Sequence, residues 1–186
     1  MFTWINLLSL PAIQRNMKLP GTATQAENIH IAMGKLDIQK GNLFLDIGCG
    51  SGAVSLAASR FTDGIYGIDL RQEAVEASRA RVPGGTFLEG RALDILPRLP
   101  KIDRCFIGGT REIDDFFPLL LEKAKPGCIV VADLARMGVA SRVAAMMKKT
   151  GIFQELLQIN IFRGYELAGD TALKPENPIF MVVGKC

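Results

Sequence analysis

The stretch "FLDIGCGSGAVSLAAS", residues 44–59, constrains this chain more than any other. An apolar run carrying an acid meets three glycines at alternate positions, Gly48, Gly50 and Gly52, and then an alanine-rich run. A strand that leaves a sheet through a glycine turn and enters a helix directly is the opening unit of an open α/β sheet. Glycines in such a turn take positive φ and let another group lie against the backbone. The helix N-terminus behind them offers unpaired N–H groups to an anion.

The rest of the chain repeats the alternation. Thr22 to Leu36 places Ile29, Met33 and Leu36 at helical spacing, and Thr24 followed by Glu27 three residues later reads as a capping box. Leu43 to Ile47 is the first strand, residues 53–61 a helix, Ile65 to Leu70 the second strand, and residues 71–82 a second crossover helix. A short strand at 86–90 and another at Ile102 to Gly109 precede a helix at 112–125, whose Pro118 is expected to kink or break it. Gly127 to Leu134 is a fifth strand, and residues 141–151 form a helix ending at Gly151. After that the pattern changes: residues 153–165 and 177–186 are two strand-like runs with no helix between them, expected to pair antiparallel at one sheet edge. This order predicts a doubly wound, Rossmann-like α/β sheet with a terminal antiparallel pair. We expect a single domain over residues 20–186, with residues 1–19 as an N-terminal extension.

Composition narrows the function classes. The 48% apolar content predicts a packed core, and a net charge of +3 is too small to argue for a nucleic-acid partner while suiting an anionic small substrate. Four separated cysteines with one histidine argue against a metal site or a disulfide framework and predict reduced thiols in a cytoplasmic protein. No apolar run reaches the roughly 18 residues of a membrane span.

In a sheet of this order, ligands bind beyond the carboxyl ends of the strands where the strand order reverses, which is where the Gly48–Gly52 loop lies. The spacing is G-x-G-x-G, not the G-x-G-x-x-G of a dinucleotide site. Asp46 before the loop would repel a pyrophosphate but pairs with an ammonium group; a cap of the following helix is its structural alternative. Asp69, ending the second strand, is placed to accept both hydroxyls of a ribose. Together these point to S-adenosylmethionine, held by Thr24, Asp46, Gly48, Gly50, Ser51, Gly52, Asp69 and Leu70, with Gly90, Arg91 and Ala92 beside its adenine. Arginine at 91 stands where methyltransferases of this fold usually have an aspartate, and an exposed arginine at a helix start is an equal reading. Cys49 reads as a small filler.

The acceptor side begins at "FIGGT", Phe106 to Thr110. It lacks the [DNS]-P-P-[YFW] element of amino-directed nucleic-acid methyltransferases, and its glycines imply either a flat group against the backbone or a tight turn. Four stretches, "PGTATQAENI", "LDIGCGSGAVSLAA", "CFIGGT" and "QINIFR" with "ENPIFMVVGK", resemble the precorrin-6B carbon-15 methyltransferases of corrin biosynthesis over residues 20–185. That resemblance implies a class I S-adenosylmethionine-dependent fold, methylation of carbon-15 of (cobalt-)precorrin-6B with loss of carbon dioxide from the carbon-12 acetate, and a homotetramer. It also implies a substrate surface at Gly108, Gly109, Thr110, Asn160 and Arg163. The element order places Arg111 and Arg136 at carboxyl ends of strands as further arginines for the macrocycle's carboxylates, and for each arginine an ordinary solvated surface position is an equal reading. Gln25, Phe162 and either Ala57 or Ala58 depart from the family's pattern. The alternatives are an RNA methyltransferase of the tRNA adenine-N1 type and a non-catalytic methyltransferase-like subunit.

Overall fold

The computed structural model describes residues 24–186; the extension expected over residues 1–19 lies outside them. The elements run α1 (Ala26–Leu36), β1 (Leu43–Ile47), α2 (Ala53–Ala58), β2 (Gly64–Asp69), α3 (Gln72–Arg81), β3 (Thr86–Glu89), α4 (Ala92–Ile95), β4 (Ile102–Ile107), α5 (Ile113–Lys123), β5 (Ala124–Leu134), α6 (Met137–Lys149), β6 (Phe153–Ile159), β7 (Phe162–Leu167), β8 (Asp170–Pro175) and β9 (Ile179–Lys185). Seven strands form one sheet in the order β3-β2-β1-β4-β5-β9-β6, and β7 and β8 form a separate two-stranded sheet. Strands β1 to β5 are parallel, and β9 lies antiparallel between β5 and β6.

Alternate side chains of each central strand enter opposite cores, as a strand covered on both faces requires. Leu45, Ile47, Cys105, Ile107, Val130 and Val182 face α4, α5 and α6, where they pack on Phe116, Leu120, Val143 and Met147. Phe44, Phe106, Val131, Met181 and Val183 face α1, α2 and α3. The strand order turns back between β1 and β4, so the loops after those two strands open side by side on one rim.

Three local expectations are corrected. The N-cap of α1 is Gln25 and makes no side-chain cap bond, so Thr24 and Glu27 do not form a capping box. Glu27 instead binds Arg163, and the Thr24 side chain binds Asp133. Pro118 lies inside α5 without ending it. The run 153–165 is two strands, because the chain leaves the main sheet at Asn160 and Ile161 and β7 pairs with β8. The antiparallel edge pair is β6 with β9.

Candidate active site

The loops after β1, β2, β3 and β4 enclose one cavity of about 790 Å³, within the size range of small-molecule sites. Its shape starts from a backbone contact. A Cβ on Gly48 would stand 2.4 Å from the Gly109 nitrogen and 2.6 Å from the Gly109 Cα, while Gly48 itself has φ +79°. The loop after β1 and the loop after β4 therefore interlock glycine against glycine, and the carbonyl of Ile47 accepts from the amides of both Gly108 and Gly109 at 2.9 Å. Gly48 and Gly109 thus make room for each other, a packing role that neither reading of "FIGGT" included, while Gly108 and Gly109 also line the cavity. Gly52 similarly makes room for Ser78 of α3, its Cβ position lying 2.9 Å from the Ser78 Cα. Gly50 differs. Beside its Cβ position there is nothing closer than 3.9 Å, and it faces the cavity.

Asp69 fixes the loop to the end of β2. Its Oδ2 accepts from the Gly50 amide at 3.0 Å and from Arg71 Nη2 at 3.0 Å, and its Oδ1 accepts from Arg71 Nε at 2.9 Å. Burial works to raise the Asp69 pKa, but the Arg71 guanidinium and the backbone amides of Arg71 and Gly50 outweigh it and hold it below its ordinary value. From the last turn of α3, Arg81 Nη1 donates to Ser51 Oγ at 3.1 Å. Across the mouth, Arg91 and Glu112 form a two-point ion pair at 3.0 Å, with Glu112 itself in the left-handed region at φ +60°.

Of the residues expected at the site, Thr24, Gly48, Gly50, Ser51, Asp69, Leu70, Gly90, Arg91, Ala92, Gly108, Gly109 and Thr110 line the cavity, together with Arg111. Asp46 does not. It is 1% exposed, faces α2 and accepts the Ser55 hydroxyl at 2.6 Å, and its Oδ1 has no hydrogen-bond partner among the described residues. Burial pushes its pKa up to about 7 against the Ser55 bonds. This corrects its expected place at the ligand and also its place as a cap, since the N-cap of α2 is Gly52. Gly52, packed on Ser78, lies behind the cavity wall as well. Asn160 is exposed and accepts from Gln158, and Arg136 is the exposed N-cap residue of α6. Arg163, on β7, pairs with Glu27 (Nη2 to Oε2 2.9 Å) and with Glu176 at 3.8 Å, outside the cavity. The separation of β7 from the main sheet is what moves Arg163 away.

Sequence reasoning missed Arg71, Arg81 and Glu112. Arg71 carried a signal, two residues beyond the acid at the end of β2. Arg81 and Glu112 carried none, because their placement depends on how α3 and the β4 loop pack. Cys49 also lines the cavity, where burial pushes its thiol up to about 12, so it stays protonated and inert.

Sequence comparisons show the family, and solved structures share the fold. A family model described as precorrin methyltransferase domain matches residues 17–184. A probable cobalt-precorrin-6B C(15)-methyltransferase (decarboxylating) of Methanosarcina acetivorans is 37% identical over 179 residues, covering 91% of this chain and 96% of that protein. The solved precorrin-8W decarboxylase of Methanobacterium thermoautotrophicum superposes with a TM-score of 0.83 at 23% identity, covering 88% of this chain and 92% of that one. The C-terminal domain of precorrin-6Y C5,15-methyltransferase from Rhodobacter capsulatus gives 0.78 at 23% identity, over 89% and 92%. The chain belongs to the precorrin methyltransferase domain family and is an enzyme of the methyltransferase class.

Proposed function

We propose that this protein binds S-adenosylmethionine in the cavity described above and methylates carbon-15 of cobalt-precorrin-6B, with loss of carbon dioxide from the carbon-12 acetate. The observation that carries this reading is the continuity of the cavity, which runs from the ends of β2 and β3 past Gly50 to the loop after β4. One space thus offers a nucleoside place and an acceptor place. The residues fit the cofactor. Asp69 is an ionised carboxylate at the end of β2, suited to ribose hydroxyls, and Gly50 leaves its backbone open for the amino-acid tail. Leu70, Gly90, Arg91 and Ala92 would flank the adenine. When bound, the cofactor supplies an electrophilic methyl group on a sulfonium.

What the chain contributes is orientation and exclusion of water. Phe106 and Phe116 make the cavity wall apolar beside the Gly108–Gly109 floor. Thr110 and Arg111 offer a hydroxyl and a cation to the substrate's carboxylate arms. Holding a nucleophilic bridge carbon against a fixed methyl donor lowers such a barrier by about 7–11 kcal/mol. The test is a mass spectrum of cobalt-precorrin-6B after incubation with the protein and S-adenosylmethionine. Gain of one methyl with loss of one carbon dioxide is the expected result. An unchanged mass, with cofactor binding confirmed in parallel, refutes the assigned acceptor.

Gly50→Val probes the cofactor half alone. The fold has room for the side chain, whose Cβ meets nothing closer than 3.9 Å, so the added cost is backbone strain at φ +54°, about 1–2 kcal/mol. The branched side chain would project into the cavity, and S-adenosylhomocysteine affinity measured by calorimetry is expected to fall at least a hundredfold while the protein stays folded. Normal affinity would show that the ligand does not lie against Gly50.

Arg163 is our candidate for capturing a substrate carboxylate, for which it must exchange Glu27 and Glu176 for the substrate. Arg163→Ala is expected to raise the KM for the macrocycle about tenfold, the worth of one charge-assisted hydrogen bond, with cofactor affinity unchanged. Equal losses for both ligands would show that Arg163 acts through the fold.

We assign the protein a homotetrameric assembly, supported by the β7–β8 hairpin. Its strands are exposed along almost their whole length yet carry large apolar side chains: by alternation and register, Phe162 and Leu173 share one face, and Tyr165 and Leu167 the other. Apolar surface of this kind marks an interface. The double substitution Phe162→Glu with Leu173→Glu is expected to yield monomer or dimer in light scattering. A mass unchanged from wild type would place the subunit contacts elsewhere.

A further inference from the structure

Both oxygens of the Asp69 carboxylate are fully engaged. Oδ1 accepts from the Arg71 amide at 3.1 Å and from Nε at 2.9 Å, and Oδ2 accepts from Nη2 and the Gly50 amide, both at 3.0 Å. The two backbone amides approach along the loop and hold the carboxylate in place. The guanidinium takes the side-on approach, one donor to each oxygen, which is the approach a ribose diol would use. The same Nη2 lies 3.9 Å from the Cβ position of Gly50, so the side chain also lies over the one loop glycine that faces open space. Arg71 is about one-third exposed and Leu70 before it is 41% exposed. The fork therefore lies at the solvent-facing rim of the nucleoside site.

We propose that Arg71 is a latch on the nucleoside site: its fork and the ribose hydroxyls compete for Asp69, so cofactor binds only to molecules in which the fork has swung off. This rests on the reading of Asp69 as the ribose acceptor. The apparent affinity for cofactor is then the intrinsic affinity multiplied by the unlatched fraction. Arg71 is a positioning residue that sets cofactor affinity and eases release of the demethylated product, without touching the methyl group.

The experiment is calorimetry on the full chain with S-adenosylhomocysteine, S-adenosylmethionine, adenosine and 2′,3′-dideoxyadenosine, comparing wild type, Arg71→Ala, Arg71→Lys and Asp69→Asn. Arg71→Ala is expected to tighten S-adenosylhomocysteine and adenosine about three- to tenfold, the worth of a two-point ion pair at a partly exposed site. It leaves dideoxyadenosine unmoved, because that ligand has no diol to compete. Arg71→Lys keeps the charge but loses the fork and falls between wild type and alanine, and it serves as the second variant should alanine fold poorly. Tightening confined to S-adenosylmethionine would mean simple repulsion of its sulfonium and would overturn the latch. So would unchanged or weaker S-adenosylhomocysteine binding by Arg71→Ala while Asp69→Asn loses tenfold or more. If Asp69→Asn binds as well as wild type, the failure lies one step earlier, in the assignment of Asp69 to the ribose.

Discussion

Gly48→Ala is expected to lower stability by about 2–5 kcal/mol and to abolish cofactor binding together with it. Two penalties coincide at this position. An alanine at φ +79° carries about 1–2 kcal/mol of left-handed strain, and its methyl would stand 2.4 Å from the Gly109 nitrogen. The obstructing atoms are backbone, held by the shared bond to the Ile47 carbonyl, so no rotamer change relieves the overlap. Overpacking of that kind costs about 1–3 kcal/mol more. At about 2–4 °C per kcal/mol for a domain of this size, the melting temperature falls by about 4–20 °C. The loops after β1 and β4 must part to accommodate the methyl, so both sides of the cavity, the proposed cofactor wall and the proposed acceptor floor, are lost together. Urea denaturation and calorimetry with S-adenosylhomocysteine read both effects. A stability loss under 1 kcal/mol with binding intact would mean that the two loops are not interlocked.

The second large effect concerns Asp46 and pH. Its folded pKa of about 7 lies above the ordinary carboxylate value near 3.9, so between those limits the native state holds a proton that the unfolded chain has released. Stability contributed by this group therefore falls as pH rises from about 4 to about 7 and is level above that, by about 4 kcal/mol over the whole window. Asp133, also raised by burial, to about 6, adds a fall of the same sign ending earlier. Glu27, Asp69 and Asp103 are shifted downward, and what they contribute is lost only on acidification below the ordinary carboxylate range. Asp46→Asn removes one titration and keeps a carbonyl for the Ser55 hydroxyl. Its stability between pH 5 and pH 7 is expected to be flatter than wild type by about 2–3 kcal/mol, with the variant the more stable protein at pH 8. Cofactor affinity should stay within a few-fold, because Asp46 does not line the cavity. Parallel stability profiles for the two proteins would refute the buried, protonated carboxyl, and loss of cofactor binding would restore Asp46 as a direct ligand contact.

The family assignment bears on how those effects arise. The curated relative and the family model span nearly the whole chain, including the "FIGGT" loop whose glycines receive Gly48. The interlock is thus built from two of the four stretches that carried the resemblance, one from each side of the strand-order reversal.

Periodicity and turn chemistry act over a few residues, and what they encode was legible in the chain as written. The alternation of strands and helices, the glycine exit from β1, the acid ending β2 and the antiparallel pair of β6 with β9 all follow from patterns within windows of about ten residues. So does the gathering of the loop residues at one rim, because a parallel sheet sends every strand's carboxyl end to the same side. What depended on contact between distant segments was not legible. That Gly48 packs against Gly109 while lining the cavity, whether Asp46 looks into the cavity or toward Ser55, and whether Arg163 joins the site or Glu27 are decided by packing, which local pattern does not report. Asp69 sits on that boundary: its position at the end of β2 is written in the sequence, while its engagement by the Arg71 fork is a matter of tertiary geometry.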